Sequence, residues 1–408
     1  MKLPITPIIL LTFCFAIFQN ISGQNTGKTE AKAAKIHAFA FTVDSHTDTP
    51  LNFTNKKFDV AMDNSVSVPR SCVDFPRMKK GGLDAVFFAV FTSQGPRTPE
   101  GNAKVKAKAV MIFDSIDAAV KRNSAVCGIA TTPEEAYKLV KNGKSVVFIG
   151  VENGYPIGND ISNIQYFYNR GARYITLCHT KNNDICTSSN DTANTLGLRA
   201  FGKQVVQEMN KLGMMIDVSH VSDQSFYDVI QLSKVPVIAS HSCARALCDN
   251  PRNLTDDMLK ALAKNDGVIQ MCILSDYVTK PLPNPERDSA RMAVRKKYNN
   301  FEDMKEEQWE SARADWESID INFPQQLANV SNVVDHIDHI VKVAGIDHVG
   351  IGTDFDGGGG VSGCKDVSEM GNITLELVKR GYNKKDIQKI WGGNLMRVMK
   401  EVNQGTGS

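Results

Sequence analysis

His46 and Asp48, in the stretch Thr42-Val-Asp-Ser-His-Thr-Asp-Thr-Pro50, pair an imidazole with a carboxylate two residues apart, just after a short apolar run. On an extended backbone both side chains point to the same side, a geometry that grips a metal ion. One His-x-Asp carries little weight, because His336-Ile-Asp338 repeats it elsewhere. Recurrence carries more. Glu152, His179, His220, His241 and Asp354 each also follow an apolar run rich in Val, Ile or aromatics, so ligand-type residues recur where strands are expected to end.

Each of these positions has a functional and a plain reading. Glu152 closes Phe148-Ile-Gly-Val-Glu152, where a carboxylate is costly unless it is paired or metal-bound; a salt-bridged strand end is the plain alternative. With His46 and Asp48 expected on a neighbouring strand, a metal-bridging role is favoured. His220 in Asp217-Val-Ser-His220 and His241 in Ile238-Ala-Ser-His241 share a Ser-His context, which makes a ligand pair a better reading than two unrelated core histidines. Asp354 and Asp356 share Gly350-Ile-Gly-Thr-Asp-Phe-Asp-Gly357, so one can serve as general acid or base while the other holds loop backbone. Asp354, nearer the strand end, is the choice for the proton. The glycines 357–360 lack the Lys-Ser/Thr pair that completes a phosphate loop. Arg252 can fork onto a carboxylate or act structurally beside Asp256 and Asp257.

Apolar runs at about 39–44, 84–91, 145–151, 173–178, 214–218, 235–240, 267–273 and 348–353 read as strands. Helical periodicity fills most of the gaps, as at 104–122, 133–141, 198–212 and 255–264. Eight strand–helix units predict an α/β fold, a (β/α)8 TIM-type barrel of the metallo-dependent hydrolase kind, whose chemistry collects at the C-terminal strand ends. That rule sorts the histidines. His46, His179, His220 and His241 follow runs, His37 and His348 fall at the opposite face, and His336 and His339 lie in an amphipathic stretch, 325–344. Residues 279–323 are expected to be an insertion, a Pro-rich loop followed by a solvated helix over 301–317.

With 408 residues, 42% hydrophobic, the chain can build one barrel-sized domain, expected over 24–408. Its 47 basic and 45 acidic residues nearly cancel, which argues against a nucleic-acid surface. Met1-Lys-Leu followed by the apolar run 8–18 and small residues near Gly23 reads as a signal peptide over 1–23. A secreted or periplasmic protein without stable membrane insertion is expected. The bulky Phe13 before Cys14 argues against a lipoprotein site, and the C-terminal sequence carries no glycolipid-anchor signal. The pairing of the eight other cysteines stays open, as does use of the Asn-x-Ser/Thr sequons at Asn52, Asn190, Asn253, Asn329 and Asn372. The sequence also leaves open whether the chain forms a homodimer.

Taken together, the chain from about Phe41 to Met399 resembles the membrane (renal-type) dipeptidase family of zinc peptidases. The resemblance rests on Asp44-Ser-His-Thr-Asp, Gly150-Val-Glu-Asn-Gly, Arg173-Tyr-Ile-Thr-Leu-Cys-His-Thr, Asp217-Val-Ser-His-Val-Ser-Asp, Ser240-His-Ser-Cys-Ala-Arg-Ala-Leu, Pro251-Arg-Asn-Leu-Thr-Asp-Asp and Gly350-Ile-Gly-Thr-Asp-Phe-Asp-Gly. It implies two zinc ions per chain, one on His46 and Asp48, one on His220 and His241, with Glu152 as bridge. It further implies that His179 steadies the developing oxyanion, Arg252 holds the substrate carboxylate, Asp354 carries the proton, and Tyr277 stands at the rim. The implied reaction is hydrolysis of dipeptides, with tolerance of a D-residue at the C-terminal position. Thr47, Asn153 and Asn250 depart from the family's usual Asn, small residue and His, which removes no ligand but bears on substrate preference. Two rivals remain: a barrel hydrolase acting on a lactone or cyclic amide, which has no need of Arg252, and a non-catalytic binding protein on the same fold.

Overall fold

The computed structural model describes residues 27–67, 70–191, 196–301, 304 and 306–405, so the expected signal segment lies outside the described residues. Nine strands form: β1 (Val43–Thr47), β2 (Ala85–Phe91), β3 (Cys127–Ile129), β4 (Ser145–Glu152), β5 (Ala172–Thr176), β6 (Met215–Asp217), β7 (Ile238–Ser242), β8 (Val268–Met271) and β9 (Val349–Ile351). The order is β1-β2-β4-β5-β6-β7-β8-β9, with β3 pairing to β4 off this path. Every pairing is parallel. Just beyond β9, Asp354 N–H donates to the His46 carbonyl (3.1 Å) and Asp48 N–H to that of Phe355 (2.8 Å), which brings the last strand back to the first. Eight parallel strands thus form the expected α/β barrel, nearly closed.

Strands covered on both faces read as continuous apolar runs, and β2 (AVFFAVF) is buried over all but its last residue. Inside the barrel Phe87 stacks on Phe148 at 4.7 Å and lies 5.3 Å from Tyr174. Gly150 makes room for this layer, since a Cβ there would sit 2.0 Å from the Tyr174 ring. A second apolar layer, including Phe88, Val147, Ile175, Ile216 and Ile269, fills the space between strands and helices.

The helices start where capping chemistry allows. Thr98 and Thr132 accept from the backbone N–H of Gly101 and Glu135, and a proline opens each of Pro99–Arg122 and Pro133–Lys141. Three sequence expectations need correction. Residues 27–39 are helical, so the first strand begins at Val43 and not near Phe39. The short β3 fell below the length at which periodicity is readable. The insertion holds two helices, Pro285–Lys297 and Glu306–Asn322, because Asn284 caps the first and Arg287 pairs with Asp320 on the second.

His336 and His339 lie on Val330–Ala344, away from the strand mouths. His336 nevertheless faces inward: its Nδ1 accepts from Ala244 N–H (3.1 Å) and its Nε2 lies 2.8 Å from the Val278 carbonyl. Among the described residues no helix is long and apolar enough to cross a membrane, and all eight cysteines are free thiols.

Candidate metal centre

Every candidate side chain arrives at one end of the barrel. His46 lies in β1 with Asp48 just past it; Glu152 ends β4, which β2 separates from β1, so it is not on the neighbouring strand expected from the sequence; His241 lies in β7. His179, His220 and Asp354 stand three residues beyond the ends of β5, β6 and β9. Arg252 comes from the segment that follows β7, and Tyr277 from the short helix Ser275–Val278 after β8. Parallel strands make this convergence automatic, because all their C-terminal ends point the same way.

The two oxygens of Glu152 face different partners. Oε2 lies 3.5 Å from His46 Nε2, while Oε1 lies 3.1 Å from His220 Nε2, 3.6 Å from His241 Nε2 and 3.8 Å from His179 Nε2. His46 Nε2 also stands 3.9 Å from Asp48 and 4.0 Å from Asp354. Three overlapping sets of mutually close donors result: His46–Asp48–Glu152, Glu152–His220–His241 and His46–His241–Asp354. A tetrahedral zinc with bonds of about 2.1 Å has ligand–ligand edges of roughly 3.4 Å, and most of these separations lie near that value. The exception is His220 Nε2 to His241 Nε2, which at 2.8 Å is a hydrogen-bond length. His46 Nε2 and Asp48 Oδ1 are buried without any hydrogen-bond partner. Buried nitrogen and oxygen donors left unsatisfied within one such cluster fit a divalent cation.

Charge makes the same case. Burial alone would lower the His46 imidazole, but Glu152, Asp48 and Asp354 around it raise it to about 10. Burial would raise Glu152, yet His46 and His179 hold it well below the usual carboxylate range. Burial, reinforced by Glu152, pushes Asp48 well above that range, and burial against the opposing pull of His46 leaves Asp354 raised to about 7. His220 and His241 are pushed well down, first by burial and then by neighbouring positive charge, so their rings stay neutral, as ligands must. Three buried carboxylates compete for one cationic imidazole, a conflict that a bound divalent cation relieves.

Backbone strain concentrates here. His220, Asp354, Asp356 and Asn153 all have positive φ, between 62° and 73°, where non-glycine residues are uncommon. Asp356 is the structural member of its pair: it accepts from Thr49 Oγ1 (2.8 Å), Ser71 Oγ (2.7 Å) and Cys72 N–H (2.6 Å), tying two loops to the mouth. Arg252 is buried; Nη1 donates to Ser242 Oγ and Nη2 to the His241 carbonyl, both at 2.7 Å, and Nε has no partner. Its guanidinium lies 5.7 Å from the Tyr277 ring. Asp256 pairs with His339 and Asp257 with Lys260, so the structural bonds of Arg252 run to Ser242 and His241 and not to these two aspartates.

Several residues of this region escape sequence reasoning. Tyr174, which reads as a core aromatic, places its hydroxyl 2.8 Å from His46 Nδ1. Asp44 accepts from Thr353 N–H and Oγ1, binding the Asp354 loop to β1. Phe91, at the end of β2, sets its ring edge-on to His179 at 4.8 Å. Asp44 and Asp217 carried one legible signal, a carboxylate inside an apolar strand.

Comparison with known proteins gives the family and the fold. Residues 30–407 match the profile of membrane dipeptidases, peptidase family M19. The chain is 31% identical over 337 residues to dipeptidase tcpJ of Claviceps purpurea, covering 81% of this chain and 69% of that one. It is also 31% identical over 367 residues to dipeptidase 3 of Macaca fascicularis, with 88% and 64% covered, so it spans about two thirds of the length of these curated relatives. The probable dipeptidase PvdM of Pseudomonas aeruginosa superposes with a TM-score of 0.79 at 32% identity, over 92% of this chain and 99% of that one. A Rhodobacter sphaeroides metallopeptidase, solved with a phosphinate mimic of L-Ala-D-Ala, shares the fold at a TM-score of 0.70 and 20% identity, over 88% of this chain and 99% of that one. With the profile matched over nearly its whole length, the chain belongs to the membrane dipeptidase family of metallopeptidases, peptidase family M19.

Proposed function

We propose that this chain is a two-zinc dipeptidase, with His46, Asp48 and Glu152 holding one ion and Glu152, His220 and His241 the other. The observation that carries this reading is the division of Glu152, one oxygen toward His46 and the other toward His220 and His241. When bound, such a pair of ions polarises a carbonyl and lowers the pKa of water, so that a nucleophile is available near neutral pH.

The chain's own residues supply the rest. Arg252 grips the C-terminal carboxylate with donors its two anchoring bonds leave free, and so fixes how much substrate extends past the scissile bond. His179, 3.8 Å from Glu152, presents Nε2 to the carbonyl oxygen as negative charge develops there. Asp354 takes a proton from water and delivers it to the leaving nitrogen as the C–N bond breaks and a C–O bond forms. Tyr277 closes the rim beside Arg252. The L-Ala-D-Ala mimic held by the Rhodobacter sphaeroides relative accords with a D-residue at the C-terminal position.

A lactone or cyclic-amide hydrolase would use the same metal ligands, but a buried Arg252 with spare donors beside them favours a substrate with a free carboxylate. Export, supported by the basic start and apolar run of residues 1–23, is part of the same reading. Purified protein tested on dipeptides, tripeptides and lactones, with and without chelator, separates the alternatives. Chelator-sensitive cleavage confined to dipeptides is expected, and turnover of the lactones alone would overturn the proposal.

A further inference from the structure

The two histidines that share a Ser-His context are not held alike. His241 Nδ1 lies 2.8 Å from Ser240 Oγ, and Ser240 Oγ lies 2.6 Å from Asp217 Oδ2. The same carboxylate accepts from Thr176 Oγ1 (2.5 Å), Ser219 N–H (3.0 Å) and Ser240 N–H (2.8 Å), so each of its oxygens receives two donors and offers none. All the members, Asp217, Ser240, Thr176, Ser219 and His241, are buried.

This wiring has a direction. A carboxylate that only accepts takes the Ser240 hydroxyl hydrogen, which leaves the serine oxygen as an acceptor toward His241. The His241 proton then sits on Nδ1, and the Nε2 lone pair faces Glu152 Oε1 (3.6 Å) and His220 Nε2 (2.8 Å), which is the donor of that pair in the metal-free protein. His46 has a softer arrangement, since Tyr174 OH lies 2.8 Å from its Nδ1 and 3.2 Å from the Ser45 carbonyl, and among the described contacts Tyr174 makes no hydrogen bond to a carboxylate. His220 Nδ1 has no partner.

We propose that Asp217, acting through Ser240, is a positioning residue that fixes the tautomer of His241 and thereby governs ion retention by Glu152–His220–His241 separately from His46–Asp48–Glu152. The inference rests on the two-ion reading above. It reaches further by assigning the unequal hold on the two ions to residues that touch neither.

Asp217→Asn is a near-isosteric reversal of the relay. With its oxygen kept toward the Ser219 and Ser240 amides, the new NH2 faces Ser240 Oγ. Ser240 must then turn its hydrogen to His241 Nδ1, which moves the imidazole proton to Nε2 and blocks the ligand lone pair. Metal-free protein titrated with zinc against a competing chelator should show two binding events in the wild type. In D217N one event should be unchanged and the other weakened about 10–100-fold, as for loss of an outer partner of a ligand histidine. Ser240→Ala should weaken that same event, which keeps the test available if D217N folds poorly, whereas Tyr174→Phe should act on the other. Imidazole 15N resonances of the metal-free protein should move the His241 proton from Nδ1 to Nε2 in D217N, a signature that general destabilisation does not produce. Unchanged affinity, equal weakening of both events or an unmoved proton would overturn the inference alone. A wild type that binds fewer than two ions would overturn the two-ion reading and the inference with it.

Discussion

Arg252→Met separates a substrate clamp from a loop anchor. The guanidinium makes two bonds to its own protein, to Ser242 Oγ and the His241 carbonyl, and has unused donors beside the candidate metal ligands. Methionine keeps most of the volume and removes the charge. Loss of the anchoring bonds leaves buried acceptors unpaired, at about 1–3 kcal/mol each, and lowers the melting temperature and the activity on every substrate alike. Loss of the carboxylate grip acts only on substrates that carry a free C-terminal acid, at about 2–5 kcal/mol, or roughly 30- to 5,000-fold in kcat/KM. The assay is therefore the ratio of kcat/KM for a dipeptide to that for its C-terminal amide, measured in both proteins. Wild type should favour the acid, and R252M should erase most of that preference while zinc content holds. An unchanged ratio, with both substrates falling together, would make Arg252 an anchor only and refute the clamp.

Glu152→Gln should lower both metal retention and turnover on the order of 100-fold or more, because under the two-ion proposal a shared ligand matters at least as much as an outer partner; metal analysis and kinetics on one sample check this. His336→Ala should destabilise by about 2–4 kcal/mol, since it orphans the Ala244 N–H and the Val278 carbonyl, and His339→Ala by less than about 1, since its pairing with Asp256 is partly exposed. Zinc content should hold in both, as read by thermal unfolding and metal analysis. Burial lowers the His37 imidazole below 6.5, where its ring bonds Thr374 Oγ1 (2.7 Å) and the Gly81 carbonyl (2.8 Å). The unfolded chain then binds the extra proton first, so His37 contributes stability that is full above pH 6.5 and is lost as pH falls through its lower folded value. His37→Gln should flatten the melting temperature against pH across that window, and an equal slope in both proteins would remove His37 as a source.

What could be read in the sequence followed from short-range pattern. Continuous apolar runs marked the doubly buried strands, and the rule that parallel strands end at one face selected His46, His179, His220 and His241 from eight histidines. The rest needs contacts distant in the chain. Tyr174 meets His46 across 128 positions and Asp217 meets Ser240 across 23, so neither partnership leaves a local trace beyond an aromatic or a carboxylate in a strand. His336 lies on the amphipathic helix expected, yet the pattern could not tell that its imidazole is buried and satisfied by two backbone groups on the apolar face. The N-terminal helix over 27–39 ran into the apolar start of β1, which blurred the first boundary.

The account turns on a metal-dependent peptidase at the strand mouths, and titration of metal-free protein with zinc, with dipeptide hydrolysis followed alongside bound metal, tests it most directly. Activity should be absent without metal and should reach its plateau as the second equivalent of zinc binds. Hydrolysis that persists in metal-free protein, or a fully loaded protein that leaves dipeptides intact, would contradict it.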